Sequence, residues 1–216
     1  MSHRGIMNVL TARRSFPRAA LALLLVPLGA YFLIQHAFPR LEMTEAAYTE
    51  YYWPRRFWLL AHTVFGLLAT LLGPLQFIGR LRSKHPALHR LAGKVYLVSV
   101  LVAALCALAL AATVQMGEPY PWVSRSYQWG LVLGAGLWIA TGATAYAAIR
   151  QRQFARHRAW MVRNYTVTFF FITFFAAYDL ALYAGWEWIF GYTGPLVFIC
   201  LLLPLAVVEA TLRARP

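Results

Sequence analysis

Charge is what this chain has least of. Charged residues make up 12% of its 216 residues, against about 25% in a soluble domain. A solvated globular fold over most of its length is therefore excluded. Cysteine is nearly absent as well: there are two, Cys106 and Cys200. Both lie in apolar stretches, without a CxxC pair or a flanking histidine, so a disulfide framework and a zinc site are not expected. They read as small packing residues. No Walker motif, no GxGxxG after a strand, no HExxH and no GxSxG occurs. No polar stretch is long enough for a separate catalytic domain. Any chemistry must take place inside the apolar part of the chain or with a partner.

What is present is apolar and periodic on a large scale. Hydrophobic residues are 61% of the chain, gathered in six stretches at about 19–38, 57–78, 95–116, 127–149, 164–186 and 195–212. Each is of the order of the ~20 residues that cross a bilayer as a helix. The seven gaps around them hold 4, 3, 5, 1, 5, 0 and 2 Lys+Arg, so sixteen of the 20 basic residues fall in alternate gaps. Basic loops resist translocation and stay cytoplasmic. The chain is thus expected to be an all-α bundle of six spans over residues 1–216, a single integral membrane domain. Both termini would be cytoplasmic, with helices two to five as a four-helix core. A multi-pass protein of the bacterial inner membrane is the expected setting. The net charge of +13 then reflects topology rather than nucleic-acid binding, with anionic lipid headgroups as its partner.

The ends and loops add detail. Arg13-Arg14-Ser15-Phe16 loosely resembles a twin-arginine export signal, but no convincing cleavage site follows, so the first stretch reads as a retained helix. In the second gap, Tyr48, Tyr51, Tyr52 and Trp53 predict a short helix over Met43–Trp53 on the outer surface. A weak repeat is also visible. Arg82 precedes His89-Arg90 by the interval at which Arg150 precedes His157-Arg158, and a basic residue and a tyrosine follow each pair. This would relate helices two–three to helices four–five by an axis along the membrane normal.

Several polar residues are candidates for chemistry. His62 and Asp179 are expected at similar depth, roughly 8–10 Å below the outer surface at ~1.5 Å per residue. Ionisable groups at such depth tend to face protein. They are either a functional intramembrane pair or a structural bond between two helices. Gly66 and Gly73 share a helical face with His62, which suits either a pocket or a close helix crossing. Tyr31, Gln35 and His36 occupy the same layer on helix one, which makes His36 and His62 another candidate pair of axial ligands. On the cytoplasmic side His89 and His157 are expected in basic loops near helix starts, with Arg90 and Arg158 beside them. They are either haem ligands with propionate partners or parts of solvated loops. His85 reads as a loop residue before Pro86. Pro74 is expected to free a carbonyl that Gln76 satisfies, unless Gln76 lines a cavity. Glu209 is expected to pair with Arg213 at i,i+4.

The elements His62-x3-Gly66, Gly73-Pro74-Leu75-Gln76-Phe77, Arg82, His89-Arg90-x2-Gly93-x2-Tyr96 and His157-Arg158-x-Trp160-Met161-x-Arg163 carry a resemblance. Taken together they resemble a family of bacterial and fungal predicted membrane proteins of unknown function, over about 57–178. The His-Arg-x-x-Gly element also looks loosely like membrane b-type cytochromes of the cytochrome b561 and ferric-reductase type. That likeness implies haem b, held by His62, His89 and His157 with Arg90 and Arg158 on the propionates. It also implies electron transfer to or from a quinone, a metal or a membrane partner subunit. Those families place histidine pairs within the spans, whereas here only His62 is clearly intramembrane. The other functions the sequence admits are a cofactor-free transporter built on His62 and Asp179, and an accessory or assembly subunit.

Overall fold

The computed structural model describes residues 26–113 and 124–214, and all regular structure among them is helical. Helix α1 covers 26–41, and its turn Leu33–Ala37 is π-helical. Pro39 has no amide hydrogen to continue the α pattern, and the turn before it widens so that the Phe38 amide bonds the Leu33 carbonyl. Then come α2 (Glu45–Tyr52), α3 (Arg56–Gln76), α4 (Gly79–Lys84), α5 (Pro86–Ala112), α6 (Arg125–Arg150), α7 (Phe154–Thr168), α8 (Phe170–Tyr183) and α9 (Thr193–Arg213). Five segments among the described residues are long and apolar enough to cross a membrane: Glu50–Gln76, Pro86–Ala112, Arg125–Arg150, Phe154–Tyr183 and Thr193–Arg213. They correspond to the second to sixth expected spans. The first part of the first span, and the Arg13-Arg14 motif, lie outside the described residues.

Two boundaries differ from expectation in the same way. Helices three and five begin at Pro86 and Phe154, about ten residues before their apolar stretches. His89-Arg90 and His157-Arg158 therefore sit within helices, not loops. Hydropathy marks where a helix crosses hydrocarbon, not where it starts, and Pro86 at the first helical position has its φ already set. The short helix in the second gap is present, but it is not simply a surface element. Tyr48 and Tyr51 are buried, and the Tyr48 hydroxyl donates to the Arg40 carbonyl at 2.7 Å.

Packing follows the hairpins. Helix α3 lies along α5 and α6 along α7; α5 against α6 joins the pairs, α9 covers α6 and α7, and α1 rests on α3. Buried Ala103, Ala104, Ala111, Ala135 and Ala145 keep the faces small, which lets backbones approach where lipid offers no hydrophobic drive. At the centre, polar side chains of α5, α6 and α7 satisfy one another. The Tyr96 hydroxyl donates to Asn164 Oδ1 at 2.6 Å and lies 3.1 Å from Thr168 Oγ1. Trp138 Nε1 donates to Thr168 Oγ1 at 3.0 Å. Asn164 Nδ2 donates to the Trp138 carbonyl and to Thr141 Oγ1, both at 2.8 Å. Such groups are tolerated in a dry core only when partnered.

His89 and His157 are 68 residues apart, and the same offset maps Tyr96 onto Asn164. Tyr96 and Asn164 hydrogen bond each other. Pro74 leaves the Thr70 carbonyl without its helical donor. The Tyr165 hydroxyl of α7 fills that role at 3.1 Å, not Gln76. Gly73 makes this approach possible, because a Cβ there would fall within the Tyr165 ring.

Candidate functional site

The end of the bundle away from the basic turn at 80–90 contains a cavity of about 140 Å³ between α1, α3, α6 and α8. Its walls are largely apolar, with Leu59, Leu131, Phe171 and Phe175 among them, and its polar lining includes His36, Arg40, Arg55 and His62. Gly66 opens onto it: no atom lies within 4 Å of where its Cβ would be. Of the two glycines expected to share the His62 face, Gly66 makes room for the cavity and Gly73 for a ring.

His36 is held on three sides. Its ring stacks on Phe175 with centroids 4.5 Å apart and on Phe32 at 5.6 Å. Its Nε2 lies 2.6 Å from Asp179 Oδ2, and the Tyr31 hydroxyl donates to the same oxygen at 2.9 Å. The π-turn of α1 carries His36, and such turns recur at functional sites. Asp179 thus binds α1 to α8. It is placed with His36 rather than with His62, so the expected layer is present with a different partner. The two side chains remain partly accessible, at 16% and 24%.

His62 is tied elsewhere. Its Nδ1 lies 2.9 Å from the Ala103 carbonyl of α5. A carbonyl only accepts, so Nδ1 carries the proton and Nε2 is left as the acceptor for a ligand. Trp138 and Phe171 meet the ring edge-on.

Arg55 closes the outer end. It donates to the Thr113 carbonyl at 2.8 Å and to the Tyr51 carbonyl, and its guanidinium lies 4.0 Å above the Tyr51 ring. Arg40 donates to the His36 carbonyl. Burial pulls the Arg40 pKa below its ordinary value, opposed by Tyr52, Tyr48 and Tyr127; a guanidinium nonetheless stays charged.

The histidines at the basic end of the bundle are differently placed. His157 Nδ1 meets the Ala145 carbonyl of α6 at 2.8 Å, fixing its tautomer as in His62. His89 Nδ1 is buried without a hydrogen-bond partner among the described residues, as is Gln76 Nε2. The Gln76 amide rests over Gly93, where a Cβ would come 2.9 Å from Oε1. His89 has Arg82, His157 and Arg90 as its electrostatic neighbours. Arg90 and Arg158 are exposed. Glu209 pairs with Arg213 at 2.9 Å, as expected, and also with Arg163 at 2.6 Å. Among the described residues no group of three or more His, Cys, Asp or Glu is gathered for a metal ion.

Sequence reasoning missed Asn164, Thr168 and Trp138, which build the central polar network, and Arg40 and Arg55, which close the cavity. Asn164 carried a usable signal, since an amide inside a membrane helix seeks a partner.

An all-helical, multi-pass membrane protein with a largely apolar cavity that carries a few polar side chains is the class these features define. The family described as Predicted membrane protein (DUF2306) matches residues 59–210, and the chain belongs to that family. The match takes in His62, His89, His157 and Asp179 but not His36 or Arg40, which precede it. No curated protein and no solved structure matches the chain.

Proposed function

We propose that the protein is a proton-coupled membrane carrier for a small lipophilic weak acid, with the outer cavity as its binding site. The observation that carries this reading is the lining of one cavity by His36, backed by Asp179, together with His62 and Arg40. Apolar walls suit the body of such a solute. Arg40 offers a fixed positive charge to its carboxylate. A carboxylate–imidazole pair can take a proton from the outer side as the anion enters and release it as the solute leaves. This keeps the transporter built on the outer polar layer and gives Asp179 the partner His36, with His62 as a ligand contact. The test is protein-dependent uptake of radiolabelled benzoate into proteoliposomes under an inward proton gradient. Asp179→Asn should abolish the dependence on the gradient, and His62→Gln should weaken apparent affinity while leaving the coupling. Gradient-driven uptake that is unchanged in Asp179→Asn sinks the proposal.

A second reading is favoured by one observation of its own. His62 and His157 each hold Nδ1 on a backbone carbonyl, the second-sphere arrangement that orients a histidine for metal ligation through Nε2. Under this reading the protein is a b-type cytochrome-like electron carrier. His62, His89 and His157 would be its candidate ligands, Arg90 and Arg158 its propionate partners, and a quinone or membrane subunit its redox partner. His36 suits this role less, because its Nε2 is engaged by Asp179. A reduced-minus-oxidised visible spectrum of protein made with haem available decides it. A sharp b-type difference lost in His62→Ala supports the reading, and a flat spectrum from folded protein ends it.

A further inference from the structure

A second concavity, of about 680 Å³, lies on the outside of the bundle, where α3 and α5 diverge above α4. Leu68, Leu72 and Leu75 of α3 form one wall and Leu88, Leu91 and Val95 of α5 the other. Much of this surface is uncovered: Leu88 is 53% and Leu91 59% exposed. Along α3 the groove runs from Leu68 to the helix end at Gln76, eight residues or ~12 Å of helix, and Ile78 continues it. That is about half of the ~30 Å hydrocarbon core, the depth of one leaflet. Its basic end carries Arg80, Lys84 and His85.

These cations have no internal counter-charge. No Asp or Glu occurs between Tyr51 and Gly117. Of the seven acids, only Glu209 belongs to the basic side of the bundle, and it is taken by Arg163 and Arg213. Neither Arg80 nor Lys84 forms an ion pair among the described residues, and both are exposed.

We propose that this groove is a binding site for one anionic phospholipid of the cytoplasmic leaflet. An acyl chain would lie between the α3 and α5 leucines, with the phosphate on Arg80 and Lys84. The depth of one leaflet, the open leucine walls and the unpaired cations at the headgroup end fit this occupant together. A zwitterionic lipid would fill the groove as well but leave the two cations unbalanced. Each Lys or Arg near an anionic surface adds roughly fivefold to affinity, so the pair supplies about thirtyfold.

Native mass spectrometry of the full-length protein, purified from nanodiscs of phosphatidylcholine containing a minority of phosphatidylglycerol, tests the site. The wild type should retain one phosphatidylglycerol in preference to phosphatidylcholine. Arg80→Gln with Lys84→Gln should lose that preference about thirtyfold. Leu91→Trp, at an exposed position of the wall, should displace the lipid while leaving the cations in place. Arg150→Gln with Arg152→Gln, in the other basic turn, should retain it. The proposal is overturned if the wild type shows no preference for the anionic lipid. It is equally overturned if the Arg150/Arg152 variant loses as much as the Arg80/Lys84 variant, since diffuse attraction to basic loops would then suffice.

Discussion

The two hairpins, α3–α5 and α6–α7, carry a weak sequence repeat and are finished differently. At the offset of 68 residues, Gly66 of α3 corresponds to Gly134 of α6, and His62 to Gly130. In the second hairpin both glycine positions are filled from outside. The Phe170 ring would sit 2.9 Å from a Cβ at Gly134, and Val197 of α9 packs onto Gly130. In the first hairpin the corresponding glycine is open and the corresponding small residue is a histidine. A missing side chain can be spent on packing or on a cavity, and this molecule does both at equivalent positions. At these two positions the hairpin that carries His62 is therefore the less tightly filled one.

The largest expected effect comes from reversing that choice. Gly134→Leu should lower stability by about 3 kcal/mol, the cost of overpacking a core that cannot move aside, read from unfolding in a mixed-detergent titration. Gly66→Leu should stay within about 1 kcal/mol of the parent, since its side chain enters open space. The second variant should instead lose benzoate uptake. Equal destabilisation by the two substitutions would show that the outer cavity is not a real space.

Next in size is the contact where the hairpins meet. Asn164→Leu removes the acceptor of the Tyr96 hydroxyl and the donor to the Trp138 carbonyl. It should cost about 2 kcal/mol, because buried partners are left unmatched. Tyr165→Phe should cost about 1 kcal/mol by stranding the Thr70 carbonyl. Here the comparison can be sharpened by a cycle. Pro74→Ala restores an amide that can bond Thr70, so Tyr165→Phe should cost less in that background than alone. A cycle with no coupling would show that the hydroxyl is not the proline's substitute.

Five of the six expected spans were legible in the sequence because burial in lipid demands long apolar runs, and the start of the remaining one lies outside the described residues. That His36 and Asp179 share one layer was legible for a related reason, since rise per residue converts position into height. Rotation about the helix axis was not. His36 reaches Asp179 through a π-turn set by Pro39, and no hydropathy pattern reports that turn. The helix starts at Pro86 and Phe154 were hidden because polar residues continue a helix beyond the hydrocarbon without any change of backbone. Cross-helix pairings such as Tyr96 with Asn164 and Tyr165 with Thr70 depend on two rotations at once. The repeat did not report the first pairing either, since it aligned Tyr96 with Tyr165 and not with Asn164.

The smallest effect separates the two cytoplasmic histidines, which the repeat makes equivalent. His157 holds the Ala145 carbonyl, so His157→Leu should cost about 1 kcal/mol for the lost bond. His89 buries Nδ1 with no hydrogen-bond partner among the described residues, so His89→Leu trades an unmatched polar atom for an apolar one of similar reach. Such a replacement is nearly neutral or stabilising. Both values follow from denaturation of the purified protein, and their difference carries the argument. If His89→Leu costs as much as His157→Leu, Nδ1 has a partner in the folded protein that matters as much as a backbone carbonyl. With Gln76 Nε2 also unmatched at this end of the bundle, that partner would be a bound group between α3 and α5. If the cost is negligible, the second hairpin alone uses its histidine to fix the helix start, and the equivalence of the two copies ends at the backbone.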